Sequence, residues 1–434
     1  MLLTILVFIV ILGLLVFVHE LGHFVAAKRN GVLVDEFGFG FPPRILGIQR
    51  TTERIMKKVG EEKKELDLIT DSYDSQTGRE IISETKIVQS QELDLIVPVR
   101  KWRIIWGRRK QRDEEDENEK KEGGTIYSIN AIPLGGFVKI FGEEGEGEGN
   151  KNSFISKKIW QKTLILVAGV AMNFLLAVIL FSVGYMIGSP TQINEQDIAK
   201  FPDAAVTIAS VSADSPAEKA GLQMGDKITA LISKDGQRIE PLKSETQFQE
   251  FVSAHKGEEI ILEIQQGGTK LQLSAVPRLN PPEGEGPLGV ALAMTALIKY
   301  PWYTAIWMGF LYTVNFIWMI IFVLFQLIKN LIVSGRAGFE LGGPVFIYTV
   351  TGDAIKLGLS YVINLAALLS VNLAVINILP IPALDGGRIL FLIIEKIKKS
   401  PISQKTQNLA NTIGFVLLIL LMIFITYKDI LRLH

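Results

Sequence analysis

The sequence predicts a multi-pass α-helical membrane protein of about four spans, carrying a membrane-associated β-hairpin and one extracytoplasmic α+β domain. Three observations predict it. Apolar residues make up 48% of the 434, and the mean hydropathy is positive. Several apolar runs reach the roughly 20 residues that a spanning helix needs. Between two of them lies a stretch, 190–278, of strand-like and helix-like segments with a Pro/Gly-rich close.

The chain opens on M-L-L-T-I-L-V-F-I-V-I-L-G-L-L-V-F-V, without a charge, and stays apolar through Ala27 before Lys28-Arg29. With no basic residue ahead of it, this run reads as a retained anchor rather than a signal peptide. The basic pair places its C-terminal end in the cytoplasm and the N-terminus outside, which sets a first span at 1–28. Residues 29–160 then form a cytoplasmic-side region. Within it, 31–49 alternate glycine with aromatic residues, as strands or a tight loop near the membrane. Residues 50–126 are highly charged with mixed sign and read as an insertion, partly disordered at its acidic end. The stretch T-I-Y-S-I-N-A-I-P-L-G-G-F-V-K-I-F-G, 125–142, is β-branched and aromatic, broken by Pro133 and Gly135-Gly136, the pattern of a hairpin.

A second span covers 161–188, where Ala168, Gly169 and Ala171, with Asn173, suit close packing against another helix. The α+β domain follows at 190–280, with a helix candidate in T-Q-F-Q-E-F-V-S-A-H and strands in E-I-I-L-E-I and K-L-Q-L-S-A-V. Residues 281–345 are a linker and an apolar helix, 346–398 a third span, and 405–434 the last span and tail. Lys396 sits in E-K-I-K-K, which belongs in the cytoplasm, so the chain must cross inward an odd number of times between the domain and Lys396. Four spans satisfy this if 303–333 lies at the outer surface or against the helices. The alternative hides an extra crossing between 340 and 360.

Composition narrows the chemistry. Forty-five basic residues balance forty-five acidic ones, which argues against nucleic acid. Cysteine is absent, so disulfides, zinc–thiolate sites and thiol nucleophiles are excluded. The four histidines are His19, His23, His255 and His434. Two of them stand inside the first span in H-E-L-G-H, although ionisable groups within a bilayer are costly and usually functional. On a helix, His19 and His23 lie one turn apart on one face, where both can reach a single Zn²⁺. Glu20 is offset by about 100°, placed to touch a water rather than the metal. A catalytic zinc keeps three protein ligands and an open position. With no further histidine suitably placed, the third ligand is a carboxylate, and N-I-L-P-I-P-A-L-D-G-G-R, 377–388, supplies Asp385. Its prolines and glycines break the helix where backbone can line a cavity. Glu340 and Asp353 are poorer candidates, in less apolar surroundings. Depth agrees: His19 and Asp385 each lie roughly 13 to 17 Å from a basic cytoplasmic boundary, at about 1.5 Å per residue.

Together these motifs resemble the site-2 protease family of intramembrane zinc metalloproteases, in its bacterial regulator-of-sigma-factor protease branch. The likeness rests on H-E-L-G-H, F-G-F-G-F-P-P, I-P-L-G-G-F-V-K, A-G-V-A-M-N-F and N-I-L-P-I-P-A-L-D-G-G, and covers nearly the whole chain except 50–126. Residues 205–278 look like a PDZ domain, on S-P-A-E-K-A-G-L-Q-M-G-D-K-I; well-known members carry two, and one is found here. The resemblance implies zinc on His19, His23 and Asp385, Glu20 as general base, and cleavage of transmembrane segments of single-span proteins such as pre-trimmed anti-sigma factors. Asn377 would serve the oxyanion or the substrate backbone. The stretch around Gly135 and Gly136 would hold the unwound substrate, and the PDZ-like domain would meet its peptide or ectodomain. The setting is the cell inner (cytoplasmic) membrane, in contact with the lipid bilayer. Prenyl-protein and heat-shock type peptidases share the first motif but take a glutamate as third ligand and lack a PDZ domain. A membrane adaptor with a structural metal would have no need of Glu20.

Overall fold

A computed structural model describes residues 1–58, 69–73, 80–84, 94–107, 123–143, 145, 147, 149–194, 198, 200, 201, 203–266, 269–282, 284–335 and 342–432. The chain forms two compact units, residues 1–42 with 131–434 and residues 43–130. The acidic end of the insertion, expected to be disordered, lies outside the described residues.

The first unit is built on α1 (Leu2–Arg29) and α2 (Ile159–Ile187). Both are apolar all round, as helices surrounded by lipid and other helices are. They meet where neither carries bulk: a Cβ on Gly22 would come within 2.7 Å of the Ala168 carbonyl carbon and 2.8 Å of Met172 Cγ. Backbone approach of this kind is how helices associate when no hydrophobic effect drives them together.

Beyond α2 the chain enters a small domain. Its six principal strands are β6 (Ser189–Gln192), β7 (Ala205–Val211), β8 (Lys227–Ser233), β10 (Ile260–Gln266), β11 (Thr269–Ala275) and β12 (Val290–Ile298). They form an antiparallel sheet in the order β11-β10-β8-β7-β12-β6, with β9 (Arg238–Ile239) pairing β8. Two helices complete the domain. Helix α3 (Pro216–Ala220) starts on Ser215, whose Oγ accepts from Glu218 N at 3.1 Å, and ends on left-handed Gly221. Helix α4 (Glu245–Ala254) is capped by Ser244 and buries Phe248, Phe251 and Val252. These three pack against Val206, Ile208, Ile228, Leu231, Ile260 and Leu262 of the sheet. The sheet runs past the Pro/Gly-rich close expected near 280. That segment is a crossing between strands, because β12 returns to pair with β7 and with β6, the strand next to the end of α2.

Five more helices follow: α5 (Trp302–Ser334), α6 (Pro344–Leu357), α7 (Leu359–Ile378), α8 (Asp385–Lys398) and α9 (Gln404–Arg432). Among the described residues, five helices are long and apolar enough to cross a membrane: α1, α2, α5, α7 and α9. The stretch 303–333, expected at the outer surface or against the helices, is a 33-residue helix lying antiparallel along α2. Tyr300 N donates to Tyr185 O at 3.0 Å, Gly309 faces Val178 and Ser182, and Phe316, Ile317, Ile320 and Leu324 pack against a cluster formed by Ala177 and Phe181 of α2 with Ala367, Val371 and Val375 of α7. Gly309 is the reason: a Cβ there would stand 2.9 Å from the Val178 carbonyl oxygen, so only glycine lets α5 dock. The span expected over 346–398 is three helices. Gly358 (φ +114) separates α6 from α7, and the two prolines of 379–384 separate α7 from α8. Helix α6 falls in the interval 340–360 where an extra crossing was the alternative.

The hairpin expected at 125–142 is a single strand, β5 (Gly123–Ile140). Its partner is β1 (Val34–Lys58), which lies between β5 and β4 (Asp94–Trp106) in a three-stranded sheet. Gly135 and Gly136 do not turn the chain; they let the strand pass flat against α1. A Cβ on Gly136 would come within 2.8 Å of Phe17 Cα and 3.1 Å of Glu20 Cβ. In the second unit, β1 pairs antiparallel with β4 (Asp94–Trp106) from Leu46↔Trp106 to Lys58↔Asp94, and β2 (Ile69–Tyr73) pairs with β3 (Glu80–Glu84). The ladder is inverted for a sheet in water. Ile48, Trp102, Ile104 and Trp106 are exposed on one face, while Gly47 and Gln49 are buried on the other.

Candidate metal centre

The two histidines are set by helix period alone. At i and i+4 on α1 their rings stand edge to face, 4.7 Å apart, and both are buried. What faces them is α2. A Cβ on Gly169 would come within 2.6 Å of His23 Cε1 and 2.8 Å of His19 Cε1, so this glycine lets the helix lean directly on both imidazoles. From α2 come partners for the outer ring nitrogens. His23 Nδ1 lies 2.8 Å from Ile165 O and, as donor to that carbonyl, leaves Nε2 with its lone pair free. Asn173, fully buried, brings its amide 3.2 Å from His19 Nδ1. Carboxamide and carbonyl partners of this kind fix tautomer and ring orientation in metal-ligating histidines.

Asp385 comes from 362 residues beyond His23, as the first residue of α8. Its Oδ2 lies 3.0 Å from His19 Nε2 and 3.3 Å from His23 Nε2, which are 3.1 Å from each other. That oxygen is buried and has no hydrogen bond of proper geometry. These separations match the ligand–ligand edges of a tetrahedral zinc site, about 3.3 Å for bonds of 2.0 to 2.1 Å. Among the described residues this is the group of three such side chains whose ligand atoms all fall within 4.8 Å of one another. The donor set therefore fits one Zn²⁺: two imidazole nitrogens and a carboxylate oxygen, converging, with the outer nitrogen of each imidazole already engaged.

The remaining residues expected from sequence gather around this point. Glu20 stands on α1 directly beside the strand at Gly136. Asn377, near the end of α7, holds its amide nitrogen 3.4 Å from His19 Nε2. Gly135 and Gly136 lie against Val16, Phe17 and Glu20 on α1. Glu340 is outside the described residues, and Asp353 pairs with Lys356 at 3.0 Å on α6. Sequence reasoning missed four residues. Asn173 stands in an apolar run among small packing residues, where a polar group is itself a signal. Arg388, one turn after Asp385, pairs with Glu143. Asn411 accepts from Ala383 N at 3.2 Å. With Gln404, Gln407 and Asn408, the last three line a polar cavity of about 480 Å³.

Comparisons with known proteins identify the family. A family model described as peptidase family M50 matches residues 7–55 and 118–421, leaving out most of the charged insertion. The chain is 32% identical to zinc metalloprotease RasP of Shouchella clausii, covering 99% of each. It is 30% identical to zinc metalloprotease RasP of Oceanobacillus iheyensis, again over 99% of each. It is 29% identical to the regulator of sigma-W protease RasP of Bacillus subtilis, over 99% of each. The solved PDZ domain of an SdrC-like protein from Listeria monocytogenes matches 20% of this chain and 86% of its own, at 26% identity and a TM-score of 0.17. On the match along most of its length, the chain belongs to peptidase family M50, the site-2 protease family of zinc metalloproteases.

Proposed function

We propose that this zinc metalloprotease cleaves the transmembrane segments of single-span membrane proteins, with His19, His23 and Asp385 holding the zinc and Glu20 as the base. The observation that carries the reading is Asp385 Oδ2, buried without a hydrogen-bond partner and facing two imidazole nitrogens at tetrahedral edge distances. It sits among helices long and apolar enough to cross a membrane, which supports a substrate segment met within the bilayer.

A zinc ion bound there supplies Lewis acidity toward water and the carbonyl oxygen. Glu20 takes a proton from the water as its oxygen attacks the peptide carbonyl carbon, and returns it to the amine nitrogen as the C–N bond breaks. Asn377 directs its amide N–H toward the same point, as a donor to the oxygen on which charge develops. A helical substrate hides its peptide bonds in its own hydrogen bonds and must unwind first. The strand at Gly135-Gly136, lying against Glu20, is placed to receive the unwound segment as an added strand.

Lys28-Arg29 orient α1 inward, α2 returns outward, and the domain of 189–298, PDZ-like in its signature, lies outside where it meets the ectodomain or peptide of the substrate. Helix α5, antiparallel to α2, then runs inward, as α7 does to Asn377, and α9 runs back outward. Helix α6 lies by the outer ends of α1 and α9, where Tyr348 meets Phe8 at 6.3 Å between ring centres and Gly343 N donates to Asp429 Oδ2 at 2.9 Å. The exposed Ile48, Trp102, Ile104 and Trp106 support an association of the β1–β4 ladder with the lipid interface, where tryptophan concentrates. A relative named for sigma-W regulation supports anti-sigma factors, trimmed outside, as substrates in the inner membrane.

Zinc content and cleavage of a model transmembrane peptide by the purified chain test the reading. Glu20→Gln should keep its zinc and lose about 10² to 10⁴ in rate, whereas Asp385→Asn should lose zinc itself. Equal cleavage by Glu20→Gln, or unchanged zinc affinity in Asp385→Asn, would remove that residue from the site.

A further inference from the structure

The loop 379–384 carries the chain from α7 into α8, and its backbone is not relaxed. Ala383, two residues before Asp385, has φ +78. A residue with a Cβ avoids this left-handed region because the Cβ crowds the following carbonyl oxygen. The loop is gripped from both sides. On one side, Gly386 and Gly387 of α8 lie on its backbone: a Cβ on Gly387 would stand 2.7 Å from the Ile381 carbonyl carbon and 2.9 Å from Pro382 Cα. On the other side is α9. Ala383 N donates to Asn411 Oδ1 at 3.2 Å. Gly414 is buried against Pro382, where a Cβ would stand 2.7 Å from the carbonyl carbon and 2.8 Å from Pro382 Cβ. Three residues apart, Asn411 and Gly414 share one face of α9.

We infer that Asn411 and Gly414, on the last helix, are positioning residues for the metal ligand Asp385. They hold Ala383 left-handed, and that turn sets the direction in which the chain enters α8 and therefore where the Asp385 carboxylate points. This rests on the reading of Asp385 as a ligand. A ligand has to be held within about 0.5 Å of its working position. Rotation of the backbone two residues upstream moves it farther than that. Asn411 carries out the task with one side-chain oxygen and Gly414 by having no side chain. The neighbouring polar cavity suggests a rival role, in which Asn411 contacts substrate or solvent beside Gln407 and Asn408. The two roles separate because positioning acts through Ala383.

The full-length chain in detergent is titrated with zinc against a chelating dye, and with Co²⁺ by its visible absorption. Asn411→Ala should weaken zinc binding about tenfold or more, the usual loss when a residue orienting a ligand is removed, and should shift the Co²⁺ spectrum. Adding Ala383→Gly should recover most of that loss, because glycine takes φ +78 at no steric cost. Ala383→Val should weaken zinc binding by a similar factor without touching α9, since a β-branched residue is a true outlier at positive φ. Gly414→Ala should do the same by pushing on Pro382. If Asn411→Ala does not fold, Ala383→Val and Gly414→Ala carry the test. Wild-type zinc affinity in the folded variants would overturn the inference, as would a loss in Asn411→Ala that Ala383→Gly leaves untouched. Asp385→Asn, run alongside, keeps the two readings apart: unchanged affinity there sinks the ligand assignment, whereas loss there with no loss at Asn411 sinks only the positioning role.

Discussion

Replacing Gly169 by alanine adds one methyl group and should cost this enzyme most of its activity. The added Cβ would overlap His23 Nε2 and lie 2.6 Å from His23 Cε1 and 2.8 Å from His19 Cε1, against 3.4 Å for ordinary contact. One imidazole or both must therefore retreat by about 0.6 to 0.8 Å or more, or α2 must lift off α1 by as much. Lifting is resisted one turn away, where Gly22 lies directly on Ala168 and Met172. Overpacking of this kind costs about 1 to 3 kcal/mol of stability, which a large helical unit survives. The effect on chemistry is larger, because a displacement near 1 Å in an active site costs about 10² in rate, or roughly 2.7 kcal/mol in kcat/KM. Zinc affinity should fall about 10- to 100-fold with it. Dye competition for zinc and cleavage of a model transmembrane peptide read both quantities. Gly184→Ala on the same helix is the control, since its nearest neighbour would be the Asn364 side chain at 3.3 Å, away from the centre. Wild-type zinc affinity and turnover in Gly169→Ala would refute the claim that this glycine seats the histidines.

Asn377→Ala should lower kcat about 10²-fold with zinc affinity held within a few-fold, the signature of a lost oxyanion donor; a rise in KM alone would make it a substrate-binding residue instead. Removing the metal with a chelator should abolish cleavage and added Zn²⁺ should restore it, while circular dichroism shows the helices intact; failure of zinc to restore cleavage would speak against the centre as described. In the small domain, burial pushes the Asp226 carboxyl up from the ordinary carboxylate range. Its folded pKa then exceeds the unfolded value of about 3.9, so the folded domain holds that proton longer and its stability declines as pH rises through that window. Asp226→Asn should flatten this decline in thermal unfolding scans across the window, and an unchanged slope would count against it.

How much of the centre could be read from sequence follows from which forces are local. His19 and His23 share a face because four residues make about one helical turn, and nothing distant can alter that. Asp385 follows by elimination: the chain has no cysteine and no other suitably placed histidine, and two prolines stand in the loop before it and two glycines directly after it. The structure brings Asp385, His19 and His23 together at 3.0 to 3.3 Å. The partners of these residues were less legible. Asn173 and Gly169 looked like packing residues because a small residue in a span does not say which atoms will lie against it. Asn411 looked like any polar residue near a helix start, since its task depends on a loop 28 residues earlier in the chain.

The sequence by itself determined where the apolar helices lie, which side chains can bind a metal, and the pairing of a base with two histidines one turn apart. Those properties depend on composition, helical period and the cost of burying charge. Tertiary structure decided the rest. It made β5 a strand beside β1 rather than a hairpin, because Gly135 and Gly136 gain more by lying flat on α1 than by turning. It made 302–334 a helix along α2, because Gly309 admits backbone contact. It also joined α1, α2, α7, α8 and α9 around one point. Each of these outcomes depends on close approach between segments far apart in the chain, and a glycine records only that room was left, not for whom.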